Sequence, residues 1–321
     1  MDVFKTTILN MNNQIQKINL NHSFIFFLFC NIFSFIVFKF SNFNISSLIC
    51  LILILIIGVS HGSLDHEKGR KLFKIFNINS ISIFYISYIS ISILIIAIWI
   101  FMPSISLIVF LFVASYHFGK EDTQFLINKV SIFNQFLFFF KGLLIILAPI
   151  FFNFDDTVSI FKLILVDNEN FYLTLDFIES NKILPILIIL STLSSIYLFL
   201  KEFNLKKFSI FLDYFSILIL NYYLSPLVAF TIYFCFLHSV RHSMSLIYEI
   251  DSQDFTNGIK IFIKKAIPLT ILTGIFCLIG LYLLNNNYDL NSSILKIIFI
   301  GLASLTFPHI LLEYFLEKYE K

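Results

Sequence analysis

Apolar positions in this chain do not alternate with polar ones. They run together in blocks of about twenty residues, the length an α-helix needs to cross a bilayer core. Such blocks fall at 22–40, 43–61, 79–101, 104–118, 132–152, 183–200, 207–223, 225–247, 266–285 and 292–315. The pattern predicts an all-α, polytopic integral membrane protein of about ten transmembrane helices, eight at the fewest, with 104–118 the weakest. Residues 1–21 read as a polar N-terminal tail, and 22–321 as a single membrane-embedded catalytic domain.

The polar intervals between blocks test this map. Lys and Arg concentrate on the cytoplasmic side of a membrane protein. Lys5 and Lys17 precede the first block. Lys68, Arg70, Lys71 and Lys74 follow the second, and Lys120 and Lys129 the fourth. Lys201, Lys206 and Lys207 follow the sixth, and Lys260, Lys264 and Lys265 the eighth; Lys318 and Lys321 end the chain. The intervening links are short and neutral, except for an acidic stretch at 153–182 whose apolar and acidic residues predict an amphipathic surface helix. With ten crossings every basic cluster lies on one side. The expected location is therefore the inner cell membrane, multi-pass, with both termini cytoplasmic. Pro149, Pro185, Pro226 and Pro268 lie near block ends, where helices start or stop easily.

Composition strengthens the assignment. The chain is 58% hydrophobic and 13% charged, against about a quarter charged in ordinary soluble domains. A net charge of +2 gives no reason to expect a nucleic-acid partner. Cys30, Cys50, Cys235 and Cys277 are scattered through apolar blocks without CxxC spacing, and read as packing residues.

The candidate chemistry lies in histidine. His22 opens the first block and reads as a headgroup-level residue. The other six histidines occupy four short motifs: Ser60-His61-Gly62-Ser63-Leu64-Asp65-His66, Tyr116-His117-Phe118-Gly119-Lys120-Glu121-Asp122, His238-Ser239-Val240-Arg241-His242 and Pro308-His309. His61, His117, His238, His242 and His309 sit late in the second, fourth, eighth and tenth blocks. On the topology above they share one depth, in the cytoplasmic half of the bilayer. Ionisable groups at membrane depth are functional by default, and imidazole suits Fe, Zn, Cu and Ni. A shared metal or cofactor site is the expectation.

Asp65 follows His61 by four residues, and Glu121 follows His117 by four. That spacing places each carboxylate on the face of its histidine, either as an orienting partner or as a charge at the loop. Arg241 reads as snorkelling to the surface, and Gly62 and Gly119 as helix ends.

These four motifs, in this order, resemble signatures of the Brp/Blh family of bacterial and archaeal β-carotene 15,15′-dioxygenases: "PHGALDH", "HFG" followed by acidic residues, "HSxRH" and a C-terminal "PHxLL". Ser60 and Ser63 depart from the first of them, and neither change removes a ligand. The resemblance implies an iron-dependent membrane enzyme that uses O2 to split the central double bond of β-carotene into two retinals. It implies Fe(II) ligands at His61, His117, His238 and His242, which would also be the catalytic residues, and it leaves the roles of His66 and His309 open. The implied substrate would enter from the bilayer lipid past Tyr116, Phe118, Tyr233, Phe234 and Phe236, which flank the ligands. A retinal-accepting rhodopsin is a candidate partner. The competing readings are an intramembrane zinc hydrolase, for which the chain has no HExxH motif, and a non-enzymatic haem-binding or transport protein.

Overall fold

The computed structural model describes residues 2–40, 45–78, 80–127, 131–201 and 205–319, with no description of the side chains of 2–13, 61, 205 and 206. Every regular element among these residues is helical. The chain runs α1 (Asp2–Lys39), α2 (Ser47–Leu53), α3 (Asp65–Ile75), α4 (Ile81–Phe101), α5 (Pro103–Glu121), α6 (Ile132–Phe152), α7 (Phe154–Leu163) and α8 (Glu169–Ser180). It continues through α9 (Ile183–Leu200), α10 (Ser209–Tyr223), α11 (Pro226–Ile232), α12 (Val240–Ile250), α13 (Phe255–Leu284) and α14 (Leu290–Tyr319).

Capping residues set several of these boundaries. The side chains of Ser46, Ser131, Asn168 and Asp254 accept hydrogen bonds from the first turns of α2, α6, α8 and α13, satisfying amides that the helix itself leaves unpaired. Pro103 and Pro226 open α5 and α11, where a missing N–H costs nothing.

Helices occupy all ten predicted intervals. Among the described residues seven are long and apolar enough to cross a membrane alone, and the bent pair Ser47–Gly58 and Gly62–Ile75, inclined at 42°, makes eight if it is one span. The expected count of ten exceeds this because α10 is short and the 225–247 interval is broken within its length. The acidic stretch holds two short helices, α7 and α8. The expected boundary at residue 21 falls inside continuous α1; Gln16 of this region bonds the Phe125 carbonyl and Gln14 bonds Tyr248. Pro268 lies inside α13 rather than at its start, because that helix begins at Phe255.

The large apolar residues of α13 point outward, with Phe276 64% and Leu278 66% exposed, as expected of a surface solvated by lipid. Inward faces carry small residues. Ser191, Ser194 and Ser195 of α9 are buried, which suits helices held by close packing rather than by expulsion of water.

The closest approach is between α5 and α6. A Cβ on Gly119 would lie 1.8 Å from the Phe138 carbonyl oxygen, and one on Gly142 would lie 1.9 Å from that of Ser115. Gly119 is thus a packing residue in the last turn of α5, not the helix end expected from its position after His117. Gly119→Val should force these backbones apart at a cost of about 1–3 kcal/mol, read as a lowered unfolding temperature in detergent.

Several segments near the histidine motifs depart from α geometry. Ile54–Gly58 and Tyr233–Ser239 are π-helical, and Val59–Leu64 is 3-10. The π segments pack on each other. A Cβ on Gly58 would lie 2.6 Å from the Phe234 ring, and the Ser239 hydroxyl donates to the Gly58 carbonyl at 3.2 Å. Such segments are uncommon and concentrate at functional sites. Here one immediately precedes the turn that carries His61, and the other contains His238.

Candidate metal centre

The motifs converge. The rings of His238 and His117 have centroids 5.3 Å apart, those of His117 and His309 5.4 Å, and those of His309 and His242 5.7 Å. All four residues are buried. They come from the Tyr233–Ser239 π segment, α5, α14 and α12, so residues more than a hundred positions apart meet at one place. The backbone of His61 belongs to the neighbouring 3-10 turn; its side chain, an expected ligand, lies outside the described residues.

Each ring has a carboxylate beside its Nδ1. His309 Nδ1–H donates to Asp65, whose two oxygens are both 2.9 Å away. His242 Nδ1–H donates to Glu121 at 3.1 Å. His238 Nδ1 stands 3.5 Å from Asp122, and His117 Nδ1 3.8 Å from Glu313. Carboxylates in this position fix ring orientation and tautomer. The expected pairs were Asp65 with His61 and Glu121 with His117, each within one helix. Asp65 pairs with His309 and Glu121 with His242 across helices, so the carboxylates tie the bundle together.

Asp65 and Asp122 are buried and Glu121 is nearly so, which removes the reading of Asp65 and Glu121 as loop charges. Tyr88 donates a second hydrogen bond to Asp65 at 2.9 Å, and Tyr233 donates one to Asp122 at 2.7 Å.

Arg241 does not snorkel. It is 2% exposed, grips Asp213 with two nitrogens at 2.8 and 3.1 Å, and donates to the Asp122 carbonyl and the Ser23 hydroxyl. A planar fork suits this bidentate pairing. Being fully desolvated, Arg241 must be paired, so it turns inward to Asp213 rather than along its stem to the surface. His22 also differs from expectation, since its Nε2 lies 2.9 Å from the Phe236 carbonyl inside the π segment. His66 stays outside the cluster, with Nδ1–H donating to the Ser63 carbonyl at 3.0 Å.

The aromatic residues divide. Phe118, Phe234 and Tyr233 pack against His238, with centroids 4.7, 5.8 and 6.4 Å away. They also pack on one another, forming a closed wall rather than an open tunnel lining. Phe236 turns to Phe29 of α1 at 5.9 Å, and Tyr116 has no ring contact with the four histidines among the described residues. A cavity of about 240 Å³ is lined by His238, His242, Lys68, Glu121, Glu313 and Glu317 among others. The many charged side chains along it suit an ion or water better than a hydrocarbon chain.

The donor set fits a metal ion. One atom from each of His117, His309 and Glu313 lies within 4.8 Å of the others. Ligand atoms held about 2.0–2.2 Å from one ion are roughly 3–4 Å apart by geometry. Glu313 Oε1 is 3.5 Å from His309 Nε2 and 3.9 Å from His242 Nε2. Imidazole and carboxylate nitrogens and oxygens of this kind suit iron and its neighbours. Glu313 was missed in the sequence, although it lies one helical turn after His309.

The profile of the family described as β-carotene 15,15′-dioxygenase matches residues 52–317. The chain belongs to this family. It is also 27% identical over 282 residues to the β-carotene 15,15′-dioxygenase of an uncultured marine bacterium, 66A03, covering 84% of this chain and 93% of that protein. No solved structure matches. The matched span takes in all four histidine motifs and the carboxylates Asp65, Glu121, Asp122 and Glu313, so an enzyme family and the buried cluster coincide on this chain.

Proposed function

We propose that this membrane protein cleaves the central double bond of β-carotene with O2 to give two retinals, using Fe(II) held by its buried histidines. One observation carries the reading: four imidazoles from separate elements, each with a carboxylate at Nδ1, meet inside an apolar bundle of the β-carotene 15,15′-dioxygenase family. His117, His238, His242 and His309 would hold the ion, with His61 joining from the adjoining turn. Bound Fe(II) would supply affinity for O2 and the redox capacity that carotenoid cleavage needs.

The chain's own residues do the rest. Asp65, Glu121 and Asp122 would accept hydrogen bonds from the Nδ1–H groups and so turn the Nε2 lone pairs toward the common centre. The Phe118–Tyr233–Phe234 wall keeps water from one side of His238 and offers the apolar, aromatic surface that a polyene prefers. Since the polar cavity is unsuited to the substrate, β-carotene would arrive from the bilayer on the wall side, and a shift of those rings would admit it. The positive loops orient the cavity side toward the cytoplasm, with both termini inside.

Haem fits poorly, because it takes an axial imidazole on each face of an open slot, whereas here four rings touch one another in succession. The test is expression in cells that make β-carotene, with retinal measured by chromatography. The wild type should produce retinal, and His238→Ala and His242→Ala should each abolish it. Undiminished retinal in either variant would remove that residue from the ligand set, and no retinal from well-folded wild type would refute the activity.

A further inference from the structure

The Nδ1–H groups of His242 and His309 are committed to Glu121 and Asp65. While those rings are neutral, their Nε2 atoms present lone pairs, and both face Glu313 Oε1, at 3.9 and 3.5 Å. Three electron-pair donors this close repel one another unless a cation stands among them. In this structure that cation is the ammonium of Lys68, with Nζ 2.8 Å from Glu313 Oε1 and 3.5 Å from His242 Nε2. Lys68 reaches there from α3, the helix that also carries Asp65.

We propose that Glu313 is a ligand of the metal centre and that Lys68 competes with the metal for it. The inference rests on the metal reading above and adds to it a carboxylate ligand and a rival cation. An ammonium and a divalent ion drawn to one carboxylate inside a desolvated bundle repel each other, so each weakens the other's hold on Glu313. The polar cavity provides the path for the exchange. Lys68, Glu313 and His242 all line it, as do Glu249 and Glu317. Carboxylates along a low-dielectric cleft concentrate divalent cations and give the displaced ammonium a place to go. The exchange brings in a charge of two and moves away a charge of one, while Glu313 stays and supplies an anionic ligand beside the neutral imidazoles.

The test uses the purified full chain in detergent and cobalt(II) alone as the probe, read by visible d–d absorption and by elemental analysis. Glu313→Gln keeps the size and removes the charge. It should weaken cobalt binding at least about tenfold and change the absorption band, with Glu313→Asp restoring part of both. Lys68→Met keeps the stem and removes the rival cation, and should tighten cobalt binding. Unchanged affinity and spectrum in Glu313→Gln would remove Glu313 from the ligands. Equal or weaker binding in Lys68→Met would overturn the competition. If Glu313→Gln does not fold, Glu313→Asp decides the first point, because a true ligand shifts the band and a bystander does not. Wild type that binds neither cobalt nor iron would refute the metal centre itself, which is a separate failure.

Discussion

His309→Ala is expected to strip the metal and abolish retinal formation. The prediction is stronger for this residue than the sequence motifs alone would suggest. His309 is the hub of the cluster, with ring contacts to both His117 and His242, Nδ1 on Asp65 and Nε2 3.5 Å from Glu313. Truncation removes a donor and also leaves the buried Asp65 carboxylate with Tyr88 as its remaining hydrogen-bond donor among the contacts described here, a cost of its own in low dielectric. Metal content should fall at least about tenfold, as when the partners of metal ligands are lost, and retinal should become undetectable. Elemental analysis and product chromatography check both. His66→Ala is the matched control, from a histidine motif but outside the cluster, and should retain metal at the wild-type level. Retention in His309→Ala, or equal loss in both, would show that the hub is misplaced.

Arg241→Leu should be the most destabilising single substitution around the centre. The guanidinium is buried against Asp213 and the Asp122 carbonyl, and its nearest Asp122 carboxylate oxygen is 3.9 Å away. Replacing one member of a buried ion pair strands the other, at a cost of about 3–5 kcal/mol. The loss would spread to the site, because Asp122 also faces His238 and accepts from Tyr233. The expected result is poor recovery of folded protein and a large fall in unfolding temperature. Arg241→Leu paired with Asp213→Leu should recover much of that stability, since the stranded charge is gone and apolar replacements of buried pairs are often neutral. A single variant as stable as wild type would contradict the network.

The helical, membrane-embedded character of the chain was legible because blocks of about twenty apolar residues have few other uses. The histidine cluster was legible for a similar reason, since ionisable groups at one depth in lipid need a shared purpose. The partners were not. Intra-helix spacing related Asp65 to His61 and Glu121 to His117, and gave no sign of the hydrogen bonds that packing adds between Asp65 and His309 and between Glu121 and His242 on other helices. Spacing rules describe an isolated helix, and they fail where a 3-10 turn and a π segment rotate the backbone next to the ligands. Arg241 was misread because its partner, Asp213, lies in a different apolar block and forms no local motif with it. Glu313 carried a usable signal, an acid one turn beyond His309 inside the last span, but nothing local tied it to His117 or Lys68.

The central claim is that distant helices bring imidazoles to one redox-active ion within the bilayer-spanning bundle. X-ray absorption at the iron edge, on protein purified with its iron, tests this most directly. The account predicts about one iron per chain, surrounded by light nitrogen and oxygen scatterers with the multiple-scattering pattern of several imidazoles, a pattern that weakens in His309→Ala. Iron bound through sulfur or porphyrin, or a spectrum unaltered by that substitution, would contradict it.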